Sequence, residues 1–331
     1  MMSGSFTHDF DKAITAVFGL PIYWYGAAYT LGFLGVLIWF SLRRSRLGWP
    51  MAHVLDVSIF LAVGVLLGGR IFDILVYEYG YYAAHPWQAL NWWRGGLASH
   101  GVIIGGFLSV FIFSRLHGQP LLKVTDELVV PVAFLLAVGR LGNFIEGGVI
   151  GTVTTMAWGV HYPDLEGARH PVALYESAKN LLIVPAAAMV LKRFPAGRGV
   201  ATALFVLLYA GLRFGVDLLR DYEADFLGLD TGQYFNLAMA FLGIGLLIWS
   251  LRRPVALSGA PVIAARPAGL IRPLVFAFLC LYPLGIPTSW TQVNIEQKRQ
   301  EQQSEASASG WLIDTRLTAR RRFAFRTRPA G

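Results

Sequence analysis

Apolar runs long enough to cross a bilayer recur along the chain, and no other feature restricts its fold as strongly. They fall at about 22–41, 55–77, 99–116, 127–142, 171–191, 199–219 and 233–251. Each is close to the ~20 residues that a helix needs to cross ~30 Å of hydrocarbon. In lipid, a spanning segment must satisfy its own backbone polar groups, so seven such runs predict seven transmembrane helices and an all-α polytopic membrane protein. The composition agrees: 55% of the 331 residues are apolar, only 15% are charged, and the mean hydropathy is +0.52, far from an ordinary soluble domain.

Basic residues in the short loops predict the orientation. One set of loops holds Arg43, Arg44, Arg46, Arg115, Lys123, Lys192, Arg193, Arg198, Arg252 and Arg253; the opposite set holds only Lys12, Arg94, Arg169 and Arg220. The richer set is expected in the cytoplasm, which leaves the N-terminus outside. The first twenty residues lack a basic n-region and a small-residue cleavage site, so the first span is expected to be retained. The net charge of +8 is thus mainly a topology signal, with no nucleic-acid partner implied. The basic end RLTARRRFAFRTR suits anionic lipid headgroups.

Residues 1–253 are expected to form the membrane domain. From 254 to 331 the chain reads as a Pro/Ala/Gly linker, a short apolar piece LIRPLVFAFLCLYPLGIP, and a polar, disordered, finally basic tail. The apolar piece is too short and proline-broken to count as an eighth span, and an interfacial position leaves the side of the C-terminus open. The single cysteine, Cys280, excludes an intrachain disulfide and any cysteine cluster. No histidine spacing indicates a metal site, and no cofactor is implied.

Charges inside spans are costly and mark function. Tyr25, Arg70 with Asp73, His100, Arg140 with Asn143, and Arg213 with Asp217 come from five helices and are expected at one depth near the outer leaflet. Arg70 and Asp73, and Arg213 and Asp217, are spaced to neutralise each other on a helix face. Arg140 has no carboxylate one turn before it. The resulting excess of positive charge suits an anion, and the anion available there is a phospholipid headgroup. Around Arg140 the stretch GRLGNFIEGGVIG contains Gly139, Gly142, Gly147, Gly148 and Gly151. It reads as a broken helix end whose amides could cradle a phosphate, or as a closely packed turn. His100, between glycines in LASHG, is either a proton acceptor or a hydrogen-bonded structural residue.

WYG at 24–26, GGLASHG at 95–101, GRLGNFIEGGVIG at 139–151, RHPVALYES at 169–177, LRFGVDLLR at 212–220 and GQYFNLAMAFLGI at 232–244 occur in an order and spacing that resemble the prolipoprotein diacylglyceryl transferase family, over residues 10 to 250. The resemblance implies seven spans, an external N-terminus and a bacterial inner membrane. It also implies transfer of the diacylglyceryl group of phosphatidylglycerol to the lipobox cysteine of a prolipoprotein, with release of glycerol phosphate. By the family pattern Arg140 and Arg213 hold the phosphate, helped by Asn143 and nearby glycine amides including Gly142. His100 is the candidate base or proton relay and Tyr25 lines the site. Arg70, Glu146, Asp217 and Tyr175 give support, and Glu176 belongs with Tyr175 to an outer wall.

Several positions depart from the family pattern. The glutamate five residues after the asparagine is Gly148 here, Glu146 replaces a second asparagine, Asp217 replaces a glutamate, and Val102, Asn236 and Ala238 are further changes. A related transferase with another acceptor, and a non-catalytic carrier or binder of anionic lipid, are the two readings that compete with the family activity. The absence of internal pseudo-repeats weighs against a transporter.

Overall fold

The computed structural model describes residues 6–91, 96–163, 165–220, 229, 231–252 and 269–286. Arg94, the linker to 268 and the tail from 287 therefore lie outside the described residues. Each expected span is a helix: α1 (Trp24–Leu47), α2 (Met51–Phe72), then after a short α3 (Tyr79–Ala84), α4 (Ser99–Leu116), α5 (Leu121–Ile145), α6 (Val172–Arg193), α7 (Val200–Asp217) and α8 (Thr231–Arg252). Six of them are long and apolar enough to cross a membrane by themselves; α4 is the shorter seventh. A ninth helix, α9 (Ile271–Leu281), continues into a 3₁₀ turn, Tyr282–Gly285. The protein is a multi-pass, all-α membrane protein, as the hydropathy demanded.

The seven long helices alternate in direction. The starts of α1, α4, α6 and α8 meet the ends of α2, α5 and α7 at one end of the bundle, called here the site end. The other is the basic end, where the described arginines and lysines of the richer loop set, Arg43 to Arg252, collect. Small residues let two helices approach closely in lipid, and α2 and α4 do so through facing G-x-x-x-G pairs. A Cβ on Gly68 would overlap the Gly101 carbonyl and lie 2.7 Å from the Gly105 Cα, while one on Gly105 would overlap the Gly64 carbonyl. This seam fixes the first turn of α4, and with it His100, against the last turns of α2.

At the basic end a buried carboxylate sets the register between α5 and α7. Asp126 on α5 accepts hydrogen bonds from the amides of Gly197 (3.0 Å), Gly199 (2.8 Å) and Thr202 (2.9 Å) and from the Thr202 hydroxyl (2.7 Å). It caps the start of α7 from outside that helix, supplying the acceptor that an N-cap side chain would otherwise supply.

Small β elements cover the site end. After β1 (Phe6–Thr7), β2 (Ala13–Val17) and β3 (Leu20–Tyr23) form a separate antiparallel hairpin that turns at Phe18 and Gly19, with φ of 51° and 79°. β1 pairs in parallel with β4 (Val160–His161), which pairs with β5 (Ala168–Arg169). His8 shares a hydrogen bond with the Phe144 carbonyl (2.6 Å) and stacks on Tyr162. The N-terminal segment is thereby tied to the end of α5.

Candidate active site

The centre of the site end is one buried carboxylate surrounded by cations. Glu176, on the second turn of α6, has no exposed surface. Arg140 from α5 brings its Nε to 2.5 Å from Glu176 Oε2, Arg220, just past α7, donates to Oε1, and Arg213 Nη1 stands 3.9 Å from Oε2. Asp217 forms a second anchor, 3.4 Å from Arg213 Nε and 3.2 Å from Arg220 Nε, and accepts from Asn236 of α8 at 2.8 Å. Arg140 also donates to Asn143 Oδ1 at 3.3 Å. Lys179, one turn along α6 from Glu176, is buried, donates to Asn180 Oδ1 at 3.2 Å and lies 4.1 Å over the Tyr209 ring. The Tyr209 hydroxyl in turn accepts from Arg213 at 3.3 Å.

Arg140, Arg213 and Arg220 thus converge on Glu176 and Asp217, with Lys179 beside them. Arg140 and Arg213 are 23% and 20% exposed, whereas Glu176 and Asp217 side chains are each 1% exposed. The carboxylates are buried and the Arg140 and Arg213 guanidiniums are the more exposed, so the cluster turns a positive side outward. Planar guanidiniums held from behind retain free N–H edges for phosphate oxygens.

Several expectations change here. Arg140 is not left without a carboxylate; its partner comes from α6 instead of its own helix. Glu176, expected in the outer wall, is the hub of the cluster. Arg220, read as a loop charge, and Lys179, not singled out at all, belong to the same cluster. Two charges three residues apart inside the apolar run 171–191 were the available signal. The expected glycine cradle is not built: α5 continues unbroken to Ile145, and the amides of Gly147, Gly148 and Gly151 already donate to the carbonyls of Phe144, Asn143 and His170. Gly142 is helical and packs against Tyr25, where a Cβ would make ordinary contact at 3.5 Å from the ring. An anion would be held by side chains.

Tyr25 lies edge-on to Tyr29, with ring centroids 5.3 Å apart, and within electrostatic reach of both Arg140 and Glu146. Glu146 stands at the C-cap of α5, one residue past its last turn. The Tyr175 hydroxyl accepts from Trp158 Nε1 at 2.7 Å and meets His170 Nδ1 at 3.1 Å.

Arg70 and His100 form a separate node on the α2–α4 side, so the polar residues expected at one depth divide into two groups. Arg70, 1% exposed, lies 3.7 Å from Asp73, donates to the carbonyls of Gln88, Ala89 and Asn91, and faces the ring of Tyr82. Burial pushes the Tyr82 phenol up to about 12, so a neutral ring faces the cation at neutral pH. Gly96, with φ of 85°, closes over this node where a Cβ would strike Asp73 and Arg70. The loop before α4 is thereby pinned. A π-helical turn, Asp73–Tyr77, follows Arg70, and such turns re-aim side chains. It brings the Tyr77 hydroxyl 2.6 Å from His100 Nδ1, while Phe72 stacks on the imidazole. His100 shares no bond with Arg140 or Asn143.

Residues 12–249 match the family model described as prolipoprotein diacylglyceryl transferase. The chain belongs to this family. Among its relatives, the phosphatidylglycerol-prolipoprotein diacylglyceryl transferase of Cupriavidus pinatubonensis is 34% identical over 273 residues, covering 76% of this chain and 98% of that protein. The proteins of the same name from Chromohalobacter salexigens and Nitrosomonas europaea are 36% and 35% identical, covering 75% and 78% of this chain and 95% of each. The matched region of this transferase family member contains both nodes, from Tyr25 to Asn236. Helix α9 lies beyond it.

Proposed function

We propose that the chain transfers the diacylglyceryl group of phosphatidylglycerol to the lipobox cysteine thiol of prolipoproteins, in the inner membrane of a bacterium. The observation that carries this reading is the cluster around Glu176. The guanidiniums of Arg140 and Arg213, presented at the end of an apolar bundle, fit a lipid phosphodiester. The excess of loop arginines and lysines at the opposite end supports a cytoplasmic basic end, with the site end and N-terminus outside.

In the reaction, the substrate sulfur attacks the diacylglycerol carbon that bears the phosphate ester. The C–S thioether forms as the C–O bond breaks, and the electron pair leaves on glycerol phosphate. Arg140 and Arg213 hold the phosphate and stabilise the charge that develops on the leaving oxygen. Asn143 fixes the Arg140 guanidinium through its side-chain oxygen, and Asp217 does so for Arg213. His100 takes the thiol proton: its Nδ1 is occupied by Tyr77, so Nε2 is the atom offered to the substrate. Tyr25 and Glu146 line the wall beside Arg140, and Arg70 holds the loop that precedes His100. The nucleophile arrives with the acceptor, so the buried Cys280 has no part in the chemistry. Residues 1–253 carry the activity, with 254–331 an extension to it.

The test is the purified protein incubated with phosphatidylglycerol and a lipobox-cysteine peptide, read by mass. The expected product is the peptide plus one diacylglyceryl group in thioether linkage. Binding of phosphatidylglycerol with no product, beside a working relative, would replace this reading with that of a lipid binder.

A further inference from the structure

Helix α9 lies outside the family match, and its geometry is that of a crossing. It begins at the basic end, where Arg272 Nε lies 2.6 Å from Asp56 Oδ1, the carboxylate that also meets His117 at the end of α4 at 3.1 Å. Further along, the Cys280 carbonyl accepts from Thr30 of α1 at 2.6 Å. At its far end the backbone of Pro283 and Leu284 rests on Gly26, where a Cβ would lie 2.8 Å from the Leu284 Cα. Gly26 is the third residue of α1, next to Tyr25. The segment therefore runs antiparallel to α1 from the basic end to the site end.

Its surface separates a crossing from a helix lying in the interface. An interfacial helix presents a charged face to water. Here the inner face buries Phe276 and Cys280 against α1 and α2, while the outer face exposes Ile271, Leu274, Phe278 and Leu281 at 63–76%. Both faces are apolar, as a lipid-facing span requires. The only charge in Ile271–Gly285 is Arg272, in the first turn. Eleven α-helical and four 3₁₀ residues span about 24 Å. That is a little under the ~30 Å core, a mismatch that local thinning of the bilayer absorbs at modest cost.

We propose that residues 271–285 form an eighth membrane crossing, so that the C-terminal extension emerges on the same face as the anion seat. Charge agrees: Arg252, Arg253, Arg266 and Arg272 precede or open the crossing, whereas Lys298 and Arg299 after it are offset by Glu296, Glu301 and Glu305. The arginines from Arg316 onward lie beyond the ~15–20 residues over which charge orients a span. The extension then faces the leaflet from which the donor lipid is drawn, which rests on the orientation given under Proposed function.

Single cysteines in a Cys280→Ser background, labelled with a membrane-impermeant maleimide in sealed spheroplasts and again after permeabilisation, test this. Trp87→Cys marks the site end and Arg193→Cys the basic end. The expected result is that Ser304→Cys labels like Trp87→Cys, and Ser258→Cys like Arg193→Cys. Ser304→Cys labelling like Arg193→Cys would overturn the crossing. If Trp87→Cys is shielded and Arg193→Cys open, the orientation reading falls, yet the pairing of Ser304→Cys with one marker or the other still decides the crossing.

Discussion

Replacing Glu176 with glutamine preserves its shape and removes the charge on which the cluster converges. Arg213 and Arg220 would then keep Asp217, while Arg140 loses its carboxylate partner at 2.5 Å and the cluster gains one net positive charge. Breaking a buried pair by removing one partner typically costs ~3–5 kcal/mol, because the remaining charge stays buried and uncompensated. Arg220, 8% exposed, bears most of that cost, whereas Arg140 can turn toward the opening. Arg140→Gln alone should therefore cost less than Glu176→Gln. Combining the two should cost less than their sum by ~1–3 kcal/mol, the coupling found within one charge network. The assay is equilibrium unfolding in mixed micelles by SDS titration, run as a double-mutant cycle. Additivity within ~0.5 kcal/mol, or a cost for Glu176→Gln below ~1 kcal/mol, would refute the view that one carboxylate organises the anion seat.

Arg213→Gln, with Asp217 retaining Arg220, should raise the KM for phosphatidylglycerol by roughly 10- to 100-fold, the worth of ~1.5–3 kcal/mol for a hydrogen bond to a charged group; vesicles of varied phosphatidylglycerol content measure it. His100→Ala should lower kcat by ~10²–10⁴ with lipid binding intact, and Tyr77→Phe by less, which single-turnover kinetics resolve; full activity in His100→Ala would remove it from the chemistry. Asp126→Ala should destabilise the fold by ~1–3 kcal/mol, leaving donors of the first turn of α7 without an acceptor, again read by SDS titration. Lys179→Met should weaken phosphatidylglycerol binding while Lys179→Arg restores it; equal binding by all three proteins would confine Lys179 to packing.

The spans were legible because lipid imposes a length and a composition that the chain cannot evade, and Arg140 and Arg213 stood out because charge inside such runs is rare. Glu176 was not, because its partners arrive from other helices: Arg140 lies 36 residues before it and Arg220 lies 44 after. Spacing along one helix reveals i,i+3 and i,i+4 pairs such as Arg213 with Asp217, but says nothing about which helices adjoin. The separation of His100 from the arginine cluster was hidden for the same reason, since common depth does not imply common position around the bundle. The glycines of 139–151 misled because their freedom was read as use. Gly147 alone among them adopts a positive φ, of 73°, and the carbonyls around them had already taken their amides. The short strands at the site end carry no sequence signal beyond the Phe18–Gly19 turn.

The α2–α4 seam distributes stiffness through the bundle. Where carbonyls meet Cα atoms there are no rotamers to exchange and no side chain to yield, so these two helices can shift only as one body, carrying His100 and its Tyr77 contact with them. Helix α8 is different: it is held mainly through α7, with polar contacts from Asn236 to Asp217 at one end and from Arg198 to the Ser250 and Leu251 carbonyls at the other. Room for a two-chain lipid must come from the side of the molecule joined by interdigitated side chains. On the proposed roles, the half of the site that carries His100 then keeps its geometry while the half that carries Arg140 and Arg213 adjusts.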